Sequence, residues 1–324
     1  MPLPRRQALG LVALPALLLH RGAAAQAWPS RPIRLISGSS PGSITDLIAR
    51  IVQPGLGERL GQPMIVDNRP GAGGNIATGF VAQAPADGYT LMVLSGGIMT
   101  LNQYLYRDMP FDPVRDIKLI TRLTNGGFLL TVSTASGITD VAGLLARLRQ
   151  KGDAANYGTP GVGFAQHVGS EMFLSATGVT ATHVPYRGSA AAVQGLIAGE
   201  VDFIFDSRGP LVAQLQAGTL RLIANGGSVP DPVYPALPTL SDTWPDVVVQ
   251  SWTALAGPSA LPAPIVQRLD DATRATLLDP EVTARLRMVG NGPAYLGPDD
   301  FIGFYAAERA RAARSVAIAR IVAQ

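Results

Sequence analysis

The sequence predicts an α/β protein of two lobes, each with a mainly parallel sheet flanked by helices. Seven short runs of β-branched and apolar residues alternate with segments of helical periodicity, a pattern typical of strands covered by helices. The runs are 33–36, 64–66, 90–94, 129–132, 183–186, 203–205 and 220–224. The chain has 324 residues, more than one hydrophobic core usually holds, so its length favours two domains.

One helix is predicted between the fifth and sixth of these runs. Ser189 is a residue type that caps helix N-termini. Val193, Leu196 and Ile197 then fall on one helical face. Gly199 supplies the left-handed residue at which many helices end.

Two further helices are predicted near the ends of the chain. Residues 45–60 have helical periodicity, but Pro54 must kink or divide that helix because proline lacks an N–H and clashes with the preceding turn. A terminal helix rich in Ala, Arg and Glu should follow Pro298 and run to Ile321.

The lobe boundaries are inferred from isolated strand-like stretches, since the chain has no repeat or low-complexity linker. Stretches near 122–126 and 249–252 are expected to cross between lobes. The first lobe would then comprise 28–125 and 251–324, and the second lobe 126–250. Two crossing strands form a hinge, with the ligand cleft between the lobes.

Residues 1–27 have the pattern of an export signal. Arg5 and Arg6 precede an apolar run at 8–19, and small residues lead up to Ala27. The run is about half of the roughly 20 residues that a membrane-spanning helix needs. We therefore expect the segment to be removed and the protein to reach the periplasm, by either the general secretory or the twin-arginine route.

The charge balance changes when this segment is removed. It contains three arginines and no acid, so 26 basic residues fall to 23, against 23 acidic ones. The remaining chain is formally neutral and has no basic stripe interleaved with aromatic residues. We therefore expect no nucleic-acid partner.

The sequence contains no cysteine, which excludes disulfides, thiolate nucleophiles and cysteine zinc sites. His167 and His183, the histidines that follow the export segment, are 16 residues apart, a spacing that matches no common metal motif. We expect neither a metal nor a cofactor. Each histidine is more typical of a structural hydrogen-bonding residue than of a ligand contact, but His167 is retained as a candidate.

The first candidate site is the turn at 38–46, which follows the first predicted strand. Ser43 and Asp46 resemble a capping box, so free N–H groups and the positive end of a helix dipole should face the cleft. Ligands of open α/β sheets sit beyond such strand ends. The alternative interpretation is an ordinary loop with a capped helix.

The same turn also matches the G-x-S-x-G elbow of serine hydrolases, with Ser40 as the nucleophile. That elbow uses the N–H of the next residue as an oxyanion donor. The next residue here is Pro41, which has no N–H. Loss of one such donor costs roughly 10²-fold to 10³-fold in turnover, so a hydrolase is the less favoured alternative.

A second glycine-rich turn lies at 68–75. It lacks both the Lys-Ser/Thr ending of a phosphate loop and the G-x-G-x-x-G pattern of dinucleotide sites. Its glycines favour left-handed turns, and Asn75 is expected to cap the next helix. Ser95 and Gly96, after the third predicted strand, extend this wall of small polar groups.

The second lobe contributes a third turn at 158–163, where glycines allow a ligand to approach the backbone. Tyr186 and Arg187 precede the helix predicted at 189, so Arg187 can aim at an anion or pair with a surface acid. Asp206 follows an apolar strand and is expected either to bind ligand or to fix the hinge.

Several motifs in this order resemble the Bug/TctC solute receptors of tripartite tricarboxylate transporters. The matching segments, which span nearly the whole chain after the export signal, are 28–33, 46–50, 66–75, 86–90, 161–163, 183–188, 198–202 and 251–252. The resemblance implies a type II periplasmic-binding fold that closes on a small organic carboxylate, such as a di- or tricarboxylate, an amino acid or an aromatic acid. It also implies membrane permease subunits as partners. We expect a monomer.

The resemblance further implies carboxylate recognition by the first turn and the Gly-x-Gly turn. Together with the turns described above, the candidate ligand contacts are Ser39, Ser40, Gly42, Ser43, Asp46, Asn75, Ser95, Gly96, Thr159, Gly161, Val162, Gly163, His167, Tyr186, Arg187 and Asp206. A receptor that serves sensing without a dedicated permease is the main alternative to a transport receptor.

The first turn departs from the family pattern at two places. Relatives usually carry proline where Gly38 stands and a glycine pair where Gly42 and Ser43 stand. Serine resists positive φ. Either the turn is reshaped, or its second position does not need that conformation.

Overall fold

The computed structural model describes residues 28–162, 164–231 and 233–319. The predicted export signal at 1–27 and the candidate contact Gly163 lie outside these residues. No helix in the described ranges is both long and apolar enough to cross a membrane.

The strands alternate with helices along most of the chain. The strands are β1 (Ile33–Ser37), β2 (Met64–Asn68), β3 (Thr90–Ser95), β4 (Ile117–Gly127), β5 (Leu129–Ser133), β6 (Asn156–Thr159), β7 (Thr182–Pro185), β8 (Phe203–Asp206), β9 (Leu220–Asn225), β10 (Gln250–Pro258) and β11 (Gly292–Leu296). The helices are α1 (Ile44–Leu60), α2 (Asn75–Ala82), α3 (Gly96–Thr100), α4 (Asn102–Leu105), α5 (Val141–Lys151), α6 (Ala165–Thr177), α7 (Ser189–Ala198), α8 (Arg208–Gln216), α9 (Leu240–Thr243), α10 (Ala263–Leu277), α11 (Pro280–Met288) and α12 (Pro298–Ala319).

The strands form two sheets, which confirms the predicted α/β class. The first has the order β11-β4-β10-β3-β1-β2, and the second has the order β7-β6-β8-β5-β9. The sheets are mixed rather than mainly parallel. In the first, β1 pairs in parallel with β2 and β3, but β10 runs antiparallel to β3 and β4. In the second, β5 runs antiparallel to both neighbours. The antiparallel strands β5 and β10 are those at which the chain enters one sheet from the other.

The chain passes between the sheets at two neighbouring places. Phe128 separates β4 in the first sheet from β5 in the second. Its N–H donates to the carbonyl of Val249 at 2.9 Å, and its carbonyl accepts from Gly226 at 2.8 Å. The two crossing segments are therefore hydrogen-bonded to each other. The division into lobes at 125/126 and 250/251 stays a prediction.

Apolar side chains cover both faces of each sheet. Ile48, Val52 and Leu56 of α1 pack against one face of the first sheet, and Tyr157, Phe173 and Phe203 form the centre of a core in the second lobe. A smaller cluster joins the lobes, because Val168 and Met172 of α6 contact Leu101, Leu105 and Ala312. The two lobes thus contact each other beyond the crossing segments.

All seven predicted strands are present, but two others were missed. β6 and β11 are short and contain glycine or proline, so they lack a β-branched run. The consequence for the site is that Thr159 ends a strand rather than lying in a loop.

The helix predictions are refined at two places. α1 continues through Pro54 as one helix, so Pro54 does not divide it, and its buried apolar face packs against the first sheet. α7 has Gly188, with φ 103°, in the capping position, and Ser189 is its first helical residue. Gly199 adopts the predicted left-handed conformation, with φ 77°. α12 follows the predicted course over its described residues.

Candidate ligand-binding cleft

A cavity of about 520 Å³ lies between the lobes and is lined by residues of both. The glycine-rich turns after β1, β2 and β6 border it, as does the turn before α7. Eight of the predicted contacts line it: Ser39, Ser40, Ser43, Ser95, Gly161, Val162, Tyr186 and Arg187. The structure thus brings together candidates that are more than 140 positions apart in the sequence.

The backbone of the first turn shows whether its second position, Ser43, needs a positive φ. Gly42 has φ 81°, but Ser43 has φ −74° and ψ 161°, so the second position needs no left-handed residue. A side chain at Gly38 would bring a Cβ to 3.1 Å from the Cα of Gly74. The glycine at position 38 therefore allows the first and second turns to pack closely.

The predicted capping box is wrong in its hydrogen bonds. Ser43 occupies the N-cap position of α1, but its side chain makes no capping bond. The carboxylate of Asp46 accepts instead from the N–H of Gly42 at 2.9 Å. The hydroxyls of Ser40 and Ser43 have no hydrogen-bond partner within the described ranges, so both are available to a ligand.

Asp46 supports the turn and does not line the cavity. Its side chain is almost completely buried and accepts from Arg50 Nε and Asn68 Nδ2, each at 2.9 Å. Burial alone would raise the pKa of Asp46, but the bonds from Arg50, Gly42 and Asn68 outweigh it and hold the pKa below its usual value. Asn68 also donates to the carbonyl of Ser39 at 3.0 Å.

Three helices begin at the cavity. Its lining includes Ile44 and Thr45 of α1, Ala165 and Gln166 of α6, and Ser189 of α7. The first N–H groups of a helix have no partner within it, and its N-terminus carries about half a positive unit charge. Three such ends in one cleft create a positive potential that attracts an anion.

Arg187 adds a full positive charge to this region. It is exposed, lines the cavity, and makes no salt bridge within the described residues. The neighbouring Tyr186 presents only its ring, because its hydroxyl donates to Glu200 Oε2 at 2.7 Å. Burial and this hydrogen bond raise the pKa of Tyr186 to about 12.

Thr159 and His167 lie behind the cavity wall. Thr159 Oγ1 is 2.6 Å from His183 Nε2 and accepts from the N–H of Gly161 at 3.2 Å. The rings of His167 and His183 stack with centroids 4.0 Å apart and both stack against Tyr157. Burial lowers the pKa of His167 to about 3 and that of His183 to about 4. The structural role is therefore the better interpretation of both histidines.

Asp206 is buried at the end of β8, 1% exposed, and does not border the cavity. One carboxylate oxygen accepts from the N–H of Ser207 at 2.7 Å, and Oδ2 has no partner within the described ranges. Burial raises the pKa of Asp206 to about 6, opposed by nearby Ser189, Ser207 and Gln166. Two of those neighbours, Ser189 and Gln166, line the cavity.

Three other candidates lie outside the lining. Gly42 precedes Ser43, the N-cap of α1, and is not among the lining residues. Asn75 is buried, accepts from Asn102 Nδ2 at 2.6 Å, and does not cap α2, whose N-cap is Gly74. Gly96 packs under the indole of Trp252, with which any added side chain would collide.

The sequence interpretation missed the apolar part of the lining. Tyr106, Phe128 and Phe164 border the cavity together with Gln166. Phe128 lies at a predicted crossing point, which was the one available signal. Tyr106 and Phe164 have no distinguishing pattern, since a cavity-lining aromatic residue looks like a core residue in a sequence.

The elbow interpretation finds no support in the geometry. No histidine in the described ranges is hydrogen-bonded to Ser40, and His183 is occupied by Thr159. The same ranges contain no group of three His, Cys, Asp or Glu side chains arranged to hold a metal ion.

The family profile described as "Tripartite tricarboxylate transporter family receptor" matches residues 48–320. The chain belongs to this TctC family. A UPF0065 protein of Bordetella pertussis is 32% identical over 301 residues, covering 90% of this chain and 91% of the relative.

Solved structures of TctC-like proteins have the same architecture. An adipate-bound protein of R. palustris, Rpa4515, superposes with a TM-score of 0.88 at 33% identity, covering 92% of this chain and 100% of the other. MatC of Rhodopseudomonas palustris, with bound malate, superposes with a TM-score of 0.82 at 28% identity, covering 89% of this chain and 100% of the other. The profile match and these solved structures confirm the predicted family and the predicted periplasmic-binding fold.

Proposed function

We propose that this protein is an extracytoplasmic receptor that captures a small organic carboxylate between its lobes and delivers it to a tripartite tricarboxylate-type permease. The observation that carries the proposal is the convergence on one cavity of three helix N-termini, Arg187 and two serine hydroxyls that have no hydrogen-bond partner among the described residues. Similar proteins hold adipate and malate, which supports a carboxylate as the anion.

The donors are sufficient for a useful affinity. A hydrogen bond to a charged group contributes roughly 1.5–3 kcal/mol, and micromolar binding needs about 8 kcal/mol net. Four or five such bonds from backbone N–H groups and serines supply that energy. We propose that the ligand contacts are those predicted residues that line the cavity, with Ser40 and Ser43 in the first turn and Arg187 opposing them from the second lobe.

A thermal-shift screen of the purified protein tests this proposal. Each carboxylate is paired with its neutral primary amide, which has nearly the same size but neither the charge nor the second acceptor oxygen. A ligand at 100 times its Kd stabilises a protein by roughly 2.7 kcal/mol. We expect at least one acid to raise the melting temperature while its amide does not. A screen in which no acid shifts the midpoint would contradict the carboxylate receptor.

The transport step is tested separately, because a sensory receptor would bind the same ligand. Uptake of the radiolabelled acid is measured in proteoliposomes containing the permease, with and without the receptor. Stimulation by wild-type protein supports delivery to the permease. Binding without stimulated uptake would favour the sensing alternative.

A further inference from the structure

The charged side chains around the cavity are unusually few. Arg187 is the one lysine, arginine, aspartate or glutamate among the described lining residues. The remaining polar side chains are hydroxyls and an amide, and the two nearby acids, Asp46 and Asp206, are buried outside the lining. Among its described residues, the lining itself therefore has one positively charged side chain and no negatively charged one.

Polar lining residues of the two lobes meet at one turn. Ser40 and Ser43 approach the turn at Gly188, where an added Cβ would lie 3.5 and 3.6 Å from their hydroxyl oxygens. Arg187 and Ser189 flank that glycine. The anion-binding groups of the two lobes thus meet at one place.

Aromatic and aliphatic side chains make up much of the remaining lining. Phe128 and Phe164 line the cavity together with Val162, Tyr106 and Ile44. Tyr106 contributes little polarity, because its hydroxyl already donates to the carbonyl of Val162 at 2.7 Å. This part of the cavity suits a hydrocarbon body.

The cavity has room for such a body. At about 30 Å³ for each water-sized group, a volume of 520 Å³ holds roughly 17 such groups. A ligand that fills it and removes its apolar lining from water has a ring or an extended chain in addition to a carboxylate.

We infer that the ligand is a carboxylate with an apolar, ring-sized body, without an ammonium group and without a second carboxylate. An ammonium would be buried with no acid to pair it, beside three helix N-termini that repel it. A second carboxylate would need a second cationic partner, and the described lining has no charged side chain besides Arg187. This inference rests on the proposed carboxylate receptor and specifies its ligand.

Three probes that share one skeleton test the inference by isothermal titration calorimetry. They are 3-phenylpropanoate, phenylalanine, which adds an ammonium, and phenylsuccinate, which adds a carboxylate. Citrate, malate and adipate complete the series. We expect 3-phenylpropanoate to bind at least tenfold more tightly than phenylalanine, phenylsuccinate and citrate.

The outcomes separate the inference from the receptor proposal. Tighter binding of phenylalanine, phenylsuccinate or any of the three non-aromatic acids would overturn the inference and leave a carboxylate receptor standing. Absence of binding by every acid in the series would overturn both.

A variant tests the apolar body while leaving the side chains of Ser40, Ser43 and Arg187 in place. Phe164→Ala removes a ring from the lining and should weaken 3-phenylpropanoate at least tenfold, while propanoate, which lacks the phenyl group, changes less than twofold. Circular dichroism and the melting temperature check folding, and an equal loss for both acids would overturn the assignment of the ring to this part of the cavity. If Phe164→Ala does not fold, Phe164→Leu is used instead. It should also weaken 3-phenylpropanoate more than propanoate.

Discussion

The hydroxyl of Tyr106 donates a 2.7 Å hydrogen bond to the carbonyl of Val162 across the cleft. Tyr106 follows α4, which lies in the chain between strands β3 and β4 of the first sheet. Val162 follows β6, a strand of the second sheet. Gly73 makes room for this contact, because a Cβ there would lie 2.7 Å from the Tyr106 oxygen. The bond therefore holds the lobes together without using a ligand atom.

Removal of this bond should reduce affinity by favouring the open state. Tyr106→Phe loses one hydrogen bond, which contributes about 1 kcal/mol and corresponds to roughly a fivefold rise in Kd. Calorimetric titration with the best-binding acid measures the change, and Tyr104→Phe, on the exposed part of α4, is the matched control. Equal Kd values for the two variants would show that the bond does not contribute to closure.

Gly188 should be needed for closure because it lies against Ser40. Gly188→Ala introduces a Cβ 3.5 Å from the Ser40 side chain at a residue with φ 103°. Gly199→Ala is a control with similar strain, since Gly199 has φ 77° and open space around it. Both variants should lose stability, but Gly188→Ala alone should weaken ligand binding, by about tenfold. Comparable affinities for the two variants would contradict the contact at the cleft.

Arg187 should contribute directly to anion binding. Arg187→Gln keeps a polar side chain but shortens it and removes its charge, which should weaken binding roughly tenfold to a hundredfold, as expected for a charge-assisted bond of about 1.5–3 kcal/mol. Arg149→Gln, on the exposed end of α5, removes an equal charge outside the cleft. The effect should also diminish at high salt. An unchanged Kd for Arg187→Gln would show that this arginine does not contact the ligand.

Asp206 should make the stability of the protein depend on pH. Its pKa rises from 3.8 to about 6 on folding, so between these values the native state binds more protons than the unfolded state. The contribution of this carboxyl to stability therefore falls as the pH rises from about 4 to 6, and the full cost above pH 6 is roughly 3 kcal/mol.

Asp206→Asn removes this titration. The buried histidines act in the reverse direction, because their lowered pKa values make stability increase with pH up to about 6.5. Their effect cancels when the variant is compared with wild type at each pH. The difference in melting temperature, variant minus wild type, should increase by several degrees as the pH is raised from 4 to 7. A constant difference across this range would show that Asp206 does not titrate there.

The turns of the site were predictable because their chemistry depends on the backbone. Gly42 and Gly188 leave a signal in the sequence, since only glycine tolerates their φ values without strain. The order of strands and glycine-rich turns then placed Ser40 and Arg187 near one cleft.

The direction of individual side chains was not predictable. Asp46 has the spacing of a capping residue, but Arg50 and Asn68 orient it toward the turn's interior. His167 follows the third turn, yet stacking with His183 keeps it in the core. Such choices depend on tertiary contacts between segments distant in sequence, which no local pattern records.

The central claim is that a carboxylate binds where the first turn meets the turn before α7, and a crystal structure with the best-binding acid tests it most directly. The account predicts carboxylate oxygens within hydrogen-bond distance of Ser40 and of the first N–H groups of α1, with Arg187 close by and the Tyr106 contact to Val162 intact. A carboxylate found elsewhere in the cleft or outside it, with those groups facing solvent, would contradict the account.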